Sequence, residues 1–306
     1  MTTFLLALSP VAILVALGRF IAWRGYVGEP GWRGVERLAY LVLFPALIVQ
    51  KLAAAPFDNA SWSMVGALVF AQFCLAGLGL LSALSRNARP GTVGAVIQSN
   101  VRWNTFVGLS LAGALFGDEG VALMAVAAAG MIPVANALSV WALTRFGPGQ
   151  SDPARLFGEM ARNPLILACL LGGALNIAGL APTGALLSTL QTLGDATIAI
   201  GLLTAGAAVD LAGLRRAGPR TLAWSLVRLI ALPAVAVGAA LLLGVSGLPL
   251  AIVVLAAATP TATNSVVLAR ELGGDAAFSA NLIAVQTVFA LATMPLAWAI
   301  FEQISA

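Results

Sequence analysis

Two short stretches hold most of the polar chemistry available to this 306-residue chain. In QSNVRWNTFVG, residues 98–108, the side chains of Gln98, Ser99, Asn100, Arg102 and Asn104 stand together between apolar runs. In TPTATNS, residues 259–265, Pro260, Thr261, Thr263 and Asn264 do the same. Asn100 and Asn104 are four residues apart, as are Pro260 and Asn264. Asn amides and an Arg guanidinium are donors suited to a carboxylate, and charge assistance strengthens such bonds. A proline inside a helix removes one donor and frees a carbonyl, so TPTATNS is also a place for a helix to break. A new helix N-terminus made by such a break presents N–H groups that attract anions.

Arg102 sharpens the question. An Arg at the centre of a membrane helix costs about 2.5 to 3.5 kcal/mol to insert, so it needs a wet cavity or a partner. Two readings stand open: direct contact with an anionic substrate, or a fixed ion pair with an acid such as Asp195. Asp195, in LQTLGDATIAI, is the one acid well inside an apolar run. It is also a candidate proton carrier, as intramembrane carboxylates can be. Gln72, Asn136 and Gln286 are further polar side chains at membrane depth. Each alone reads as readily as an interhelical hydrogen bond.

The elements that must position these residues are apolar helices. The chain is 60% hydrophobic and 9% charged, whereas a soluble domain carries roughly 25% charged residues. It is therefore an integral membrane protein. A bilayer core of ~30 Å takes about 20 apolar residues per helix. The runs between polar punctuation give ten spans: 3–23, 35–55, 61–84, 91–116, 120–144, 164–180, 185–209, 220–244, 249–271 and 276–301. The sixth is short and rich in Gly. No composition shift marks off a soluble region, so residues 1–306 read as a single membrane domain. The first run has no basic n-region and reads as a span rather than a secretory signal.

Charge orients the spans. Arg19, Arg24, Arg33 and Arg37 flank the first loop; Arg86 and Arg89 the third; Arg145, Arg155 and Arg162 the fifth. Arg215, Arg216 and Arg220 lie in the seventh loop and Arg270 beside the ninth, so thirteen of sixteen basic residues favour one side. By the positive-inside rule these odd loops face the cytoplasm and both termini face outward. Six of the seven Trp, all but Trp103, fall near span ends, as an interfacial belt requires.

Several chemistries are excluded. There is no histidine, and Cys74 and Cys169 lie in apolar runs without a CxxC partner. No catalytic set, metal site or cofactor is expected. GVSG at 244–247 has no histidine to act with and reads as a loop. The basic residues are scattered, so no nucleic-acid partner is expected.

The two halves resemble each other at an offset of about 155 to 162 residues. SPVAILVALG (9–18) matches NPLILACLLG (163–172) in pattern, and LAYLVLFPAL (38–47) lies over LGDATIAIGL (193–202). Trp62 falls over Trp224, and Asn104 lies near Asn264. With five spans per half, the second half must be inverted relative to the first. Inverted repeats with interrupted helices are a transporter architecture with the site at the midplane.

Four stretches carry a resemblance to a known family: FPALIVQKLA (44–53), SNVRWNTFVGL (99–109), RNPLILACLLGGALNIAGLAP (162–182) and TPTATNSVVLARELGGD (259–275). In these the chain is similar to the auxin efflux carrier family, which includes plant auxin carriers and bacterial malonate and malate carriers. The resemblance implies an all-α membrane protein of ten helices in two inverted five-helix repeats, like the bile-acid symporters and sodium/proton antiporters. Scaffold helices would lie within 1–55 and 164–212, and transport helices within 61–145 and 220–303. Broken helices 4 and 9 would cross at the substrate site, and the transport unit would slide against the scaffold as an elevator. Crossover roles carry over to Asn104, Asn264 and Pro260, and supporting roles to Gln72 and Asn136. Asn100 stands where the family commonly has a second crossover proline, which implies a milder break. Arg102 has no counterpart in the motif, and its role rests on charge alone.

These readings converge on a secondary transporter of a small organic anion in a bacterial inner membrane, embedded in the lipid bilayer. The expected site residues are Asn100, Arg102, Asn104, Pro260, Thr261, Thr263 and Asn264, with Gln72, Asn136 and Asp195 in support. H+ or Na+ is a candidate coupling ion. The resemblance implies a homodimer through the scaffold. The rival reading is a sodium- or proton-coupled carrier of the bile-acid type, which needs carboxylates near the crossover. An intramembrane enzyme lacks its catalytic groups.

Overall fold

A computed structural model describes residues 1–55, 57–84, 89–147, 158 and 162–305. All regular structure among them is helical. Helix α1 (Thr2–Arg24) leads into the amphipathic α2 (Glu29–Leu38). A wide turn at Ala39–Leu43 joins α2 to α3 (Phe44–Ala53). Proline explains the wide turn: Pro45 has no N–H for the Leu41 carbonyl and its ring crowds that oxygen, so the turn opens. The same device recurs at Val227–Ala231, between α10 (Pro219–Leu226) and α11 (Leu232–Leu242), with Pro233 just beyond it.

Between these lie α4 (Asn59–Leu80), α5 (Pro90–Val101), α6 (Thr105–Phe146), α7 (Pro164–Ile177), α8 (Gly184–Ala207) and the short α9 (Leu211–Arg215). The chain ends with α12 (Gly247–Ala258), α13 (Ser265–Glu271) and α14 (Ala276–Ser305). Side-chain oxygens of Asp58 and Asn163 accept from the first N–H groups of α4 and α7, satisfying donors that a helix start leaves open.

Six helical stretches are long and apolar enough to cross a membrane: Thr2–Arg24, Asn59–Leu84, Gly91–Phe146, Gly184–Ala207, Pro219–Leu242 and Ala276–Ile304. Pro164–Ile177 and Gly247–Ala258 are apolar but shorter. Helix covers parts of all ten sequence runs, yet length alone does not mark ten spans. The second run is divided by its wide turn. The fourth and fifth are legs of one stretch that bends at Gly117, where φ 60 and ψ −147 suit only glycine. Arg86 and Arg155, used above for orientation, lie outside the described residues.

Large apolar side chains point outward along these helices: Leu6 is 67% exposed, Ile13 63%, Ile177 88% and Leu242 90%. A soluble protein rarely carries such patches, and here lipid covers them. Trp298 departs from the interfacial expectation. It is buried and stacks on Phe4 with ring centroids 5.1 Å apart, because it fills a gap between α1 and α14.

Helix α1 packs along α8, and α3 packs on both α7 and α8. The α1–α8 seam is closed by two glycines. A Cβ on Gly18 would strike the backbone of Leu203, and one on Gly206 would strike that of Val15. Small residues let membrane helices approach to backbone contact, where dispersion substitutes for the missing hydrophobic drive. Gly206→Leu is expected to lower the unfolding temperature in detergent by several degrees, since overpacking costs about 1–3 kcal/mol. Gly77→Leu, at a position with nothing within 4 Å of an added Cβ, is expected to leave it unchanged. Equal unfolding temperatures for the two variants would refute the packing role of this seam.

Candidate functional site

The helix that begins with α5 stops at Val101 and restarts at Thr105. Arg102 is extended, at φ −80 and ψ 154. Asn104 then caps the new helix, its side chain accepting from Val107 N–H at 3.3 Å. No proline is needed: an Asx cap satisfies an orphan donor and starts α6 afresh. The second break is longer, running from Thr259 to Asn264 between α12 and α13. The milder break expected at Asn100 is thus the shorter one. The two breaks touch directly, Asn104 N–H donating to the Pro260 carbonyl at 2.8 Å.

Every exposed backbone end here needs a partner at membrane depth. Pro260 cannot donate to Ala256, whose carbonyl instead accepts from the Thr259 hydroxyl at 2.9 Å. Gln72 Nε2 donates to Val101 O at 2.9 Å and to Met131 O at 3.2 Å. Gln286 accepts from Thr261 N–H at 2.9 Å and donates to Ser99 Oγ at 2.7 Å. Gln98 donates to Ser265 O at 3.0 Å, tying the stretch that begins with α5 to α13. The Thr261 hydroxyl is buried without a partner, and Thr263 lies half-buried in the turn before α13.

The side chain of Arg102 is held by two neutral amides. Its Nη1 donates to Asn136 Oδ1 at 3.2 Å and its Nη2 to Asn264 Oδ1 at 2.8 Å. A guanidinium has five N–H donors, so this arrangement leaves donors unused. Both Asn oxygens face the guanidinium, and their Nδ2 groups bond to no described residue. The result is a cluster with unused N–H donors on Arg102, Asn136 and Asn264. Donors of this kind form charge-assisted hydrogen bonds with anions in general.

Among the described residues no acid pairs with Arg102. The fixed pair with Asp195 is therefore not what the chain forms. Asp195 is exposed on α8, and the amides of Asn136 and Asn264 take the place an acid would have held. Asn100 is fully buried and turned away, donating to Leu75 O on α4 at 3.1 Å. The structure thus gathers Arg102, Asn136 and Asn264 around one point, with Asn104 and Pro260 fixing the backbone beside it.

One residue of the site escaped the sequence reading. Arg228, fully buried in the wide turn before α11, donates from Nη1 to Ala257 O at 2.7 Å. Its Nε and Nη2 lie 3.4 and 3.2 Å from Arg102 O. An Arg well inside the 220–244 run was the available signal, subject to the same insertion penalty as Arg102. Beside the crossover a cavity of about 180 Å³ opens between α1 and α14. Its walls include Val11, Val15, Val107, Pro260 and Leu291, with Arg19 as its one charged side chain.

Six helical stretches long and apolar enough to cross a membrane, packed around a buried polar cluster, define the class: an integral membrane protein. The model of the membrane transport protein family matches residues 156–298. The chain is also similar to an uncharacterized transporter of Methanothermobacter thermautotrophicus, 26% identical over 293 residues and 95% of each chain. An uncharacterized transporter of Methanocaldococcus jannaschii is 22% identical over 294 residues, 94% of this chain and 95% of the relative. These matches agree with the resemblance to the auxin efflux carrier family, and the proteins this chain is similar to are membrane transport proteins. The family match takes in RNPLILACLLGG and TPTATNS, two of the four stretches on which the resemblance rests.

Proposed function

We propose that this protein is a secondary transporter of a small carboxylate, bound where the break at residues 102–104 crosses the break at 259–264. The observation that carries this reading is the guanidinium of Arg102, buried among donors without an acid. A carboxylate would accept from the unused N–H groups of Arg102 and from Nδ2 of Asn136 and Asn264. It would also neutralise a charge that the bilayer penalises.

Ten spans in two inverted five-helix repeats are the arrangement that best joins this site to the charge pattern, with both termini outside an inner membrane. The recurrence of a polar break about 160 residues apart supports it. Helices α1, α3, α7 and α8 pack chiefly on one another, as do α4 to α6 with α11, α12 and α14. That partition supports a scaffold in 1–55 and 164–212, and an elevator-like transport unit in 61–145 and 220–303. A homodimer would form through the lipid-facing side of the scaffold. Moving one negative charge out of an inside-negative cell gains about 2.3 kcal/mol per 100 mV, so efflux needs no ATP. A sodium symporter of the bile-acid type would need carboxylates at the crossover, and none of the described residues supplies one there.

A thermal-shift series on purified protein tests the proposal, with malonate, malate, indole-3-acetate and the corresponding neutral amides at several pH values. A carboxylate is expected to raise the unfolding temperature while its amide does not. Equal effects of acid and amide, or no effect of any acid, would end the anion reading. Asp195→Asn is expected to leave the pH profile of transport unchanged, since Asp195 makes no bond to the cluster. A flattened profile would instead make it the proton carrier.

A further inference from the structure

Arg228 makes a contact that substrate binding does not require. Helix ends carry a partial negative charge on their unpaired carbonyls, equivalent to roughly half an electron. In carriers with interrupted helices, such unwound carbonyls and half-helix C-terminal ends coordinate the coupling sodium ion or proton. In this chain the corresponding carbonyls are Arg102 O, just beyond the end of α5, and Ala257 O, in the last turn of α12. Both accept from one guanidinium, that of Arg228.

We infer that Arg228 is a built-in cation that takes the position of a coupling ion and locks the two broken ends together. The inference rests on the carrier reading of the site. A guanidinium is suited to this task because its planar fork spans two carbonyls at once, which a lysine ammonium at a single point does not. It is fully buried, and no acid among the described residues neutralises it. Its attachment to the wide turn keeps it in the protein through every cycle, so it cannot be exchanged for sodium. Arg228 is a positioning residue: it touches the backbone that shapes the site, and Arg102 and the amides face the anion.

The test is thermal unfolding of purified protein in sodium chloride against N-methyl-D-glucamine chloride at equal ionic strength. The wild-type unfolding temperature is expected to be the same in both salts. Arg228→Ala is expected to unfold several degrees lower, and to recover part of the loss in sodium or in millimolar guanidinium chloride. Arg228→Lys is the second variant if the alanine protein does not fold; it is expected to unfold below wild type and to gain from the same cations. Sodium stabilisation of the wild type would overturn the inference, since it requires a separate ion site. Variants that match wild type, or that are destabilised without recovery by any cation, would overturn it as well. This readout involves no carboxylate, so failure of the anion screen and failure of the built-in cation are distinguishable.

Discussion

Arg102→Ala is expected to abolish carboxylate binding while the protein stays folded and monodisperse. A charge-assisted hydrogen bond contributes about 1.5–3 kcal/mol, and a carboxylate on this guanidinium would make two. Their loss corresponds to at least about a hundredfold in affinity, at 1.4 kcal/mol per factor of ten. The fold is spared because the crossover backbone is held elsewhere. Asn104 N–H bonds Pro260 O, Gln72 braces Val101, Gln286 braces Thr261, and Arg228 bridges Arg102 O and Ala257 O. None of these uses the Arg102 side chain. Titration calorimetry with the best carboxylate of the thermal-shift series, alongside size-exclusion profiles, measures both halves of the prediction. Unreduced affinity in Arg102→Ala would remove Arg102 from the binding site.

The second large effect is a gain of stability coupled to a loss of binding. Asn264 Oδ1 lies 2.8 Å from Arg102 Nη2. Asn264→Asp puts a carboxylate at that place with almost no change in shape. The internal pair then occupies the charge that the substrate would neutralise, and binding is expected to fall at least tenfold from the loss of one charge-assisted bond. Asn264 also precedes the first turn of α13 without using its side chain as a cap. A negative charge there gains a further 0.3–1 kcal/mol or so from the helix dipole. Asn264→Asp is therefore expected to unfold at a higher temperature than wild type and to lose its response to carboxylates. Asn264→Leu is expected to lose both stability and binding. An Asp variant that still responds to carboxylates as wild type does would place the anion elsewhere.

That polar residues interrupt apolar helices at these two stretches was legible from the sequence; direction around a helix was not. Spacing from span ends located Arg102, Asn104 and Asn264 near the middle, and Asn104 before Thr105 is a readable helix start. Which way Asn100 points depends on how α5 leans on α4, and only the packed structure shows its amide on Leu75 O. The choice of partner for Arg102 likewise turned on which helix lies next to it. Asp195 has suitable depth on a helix that does not present it to the guanidinium, while Asn136 comes from the far leg of α6. The wide turns before Pro45 and Pro233 follow from proline chemistry, but their use to hold Arg228 depends on the crossover they face. The run count of ten came from polar punctuation. Helix length marks six, because the wide turn divides the second run, the fourth and fifth join in one stretch, the helix of the sixth is short, and the break at Thr259 shortens the ninth.

The most direct measurement is carboxylate flux in proteoliposomes under an imposed potassium diffusion potential, with sodium present or absent. Flux of the carboxylate that binds is predicted to follow the potential, to be the same in both media, and to vanish in Arg102→Ala. Absence of flux in the wild type, or flux that persists in Arg102→Ala, would contradict anion transport at the crossover.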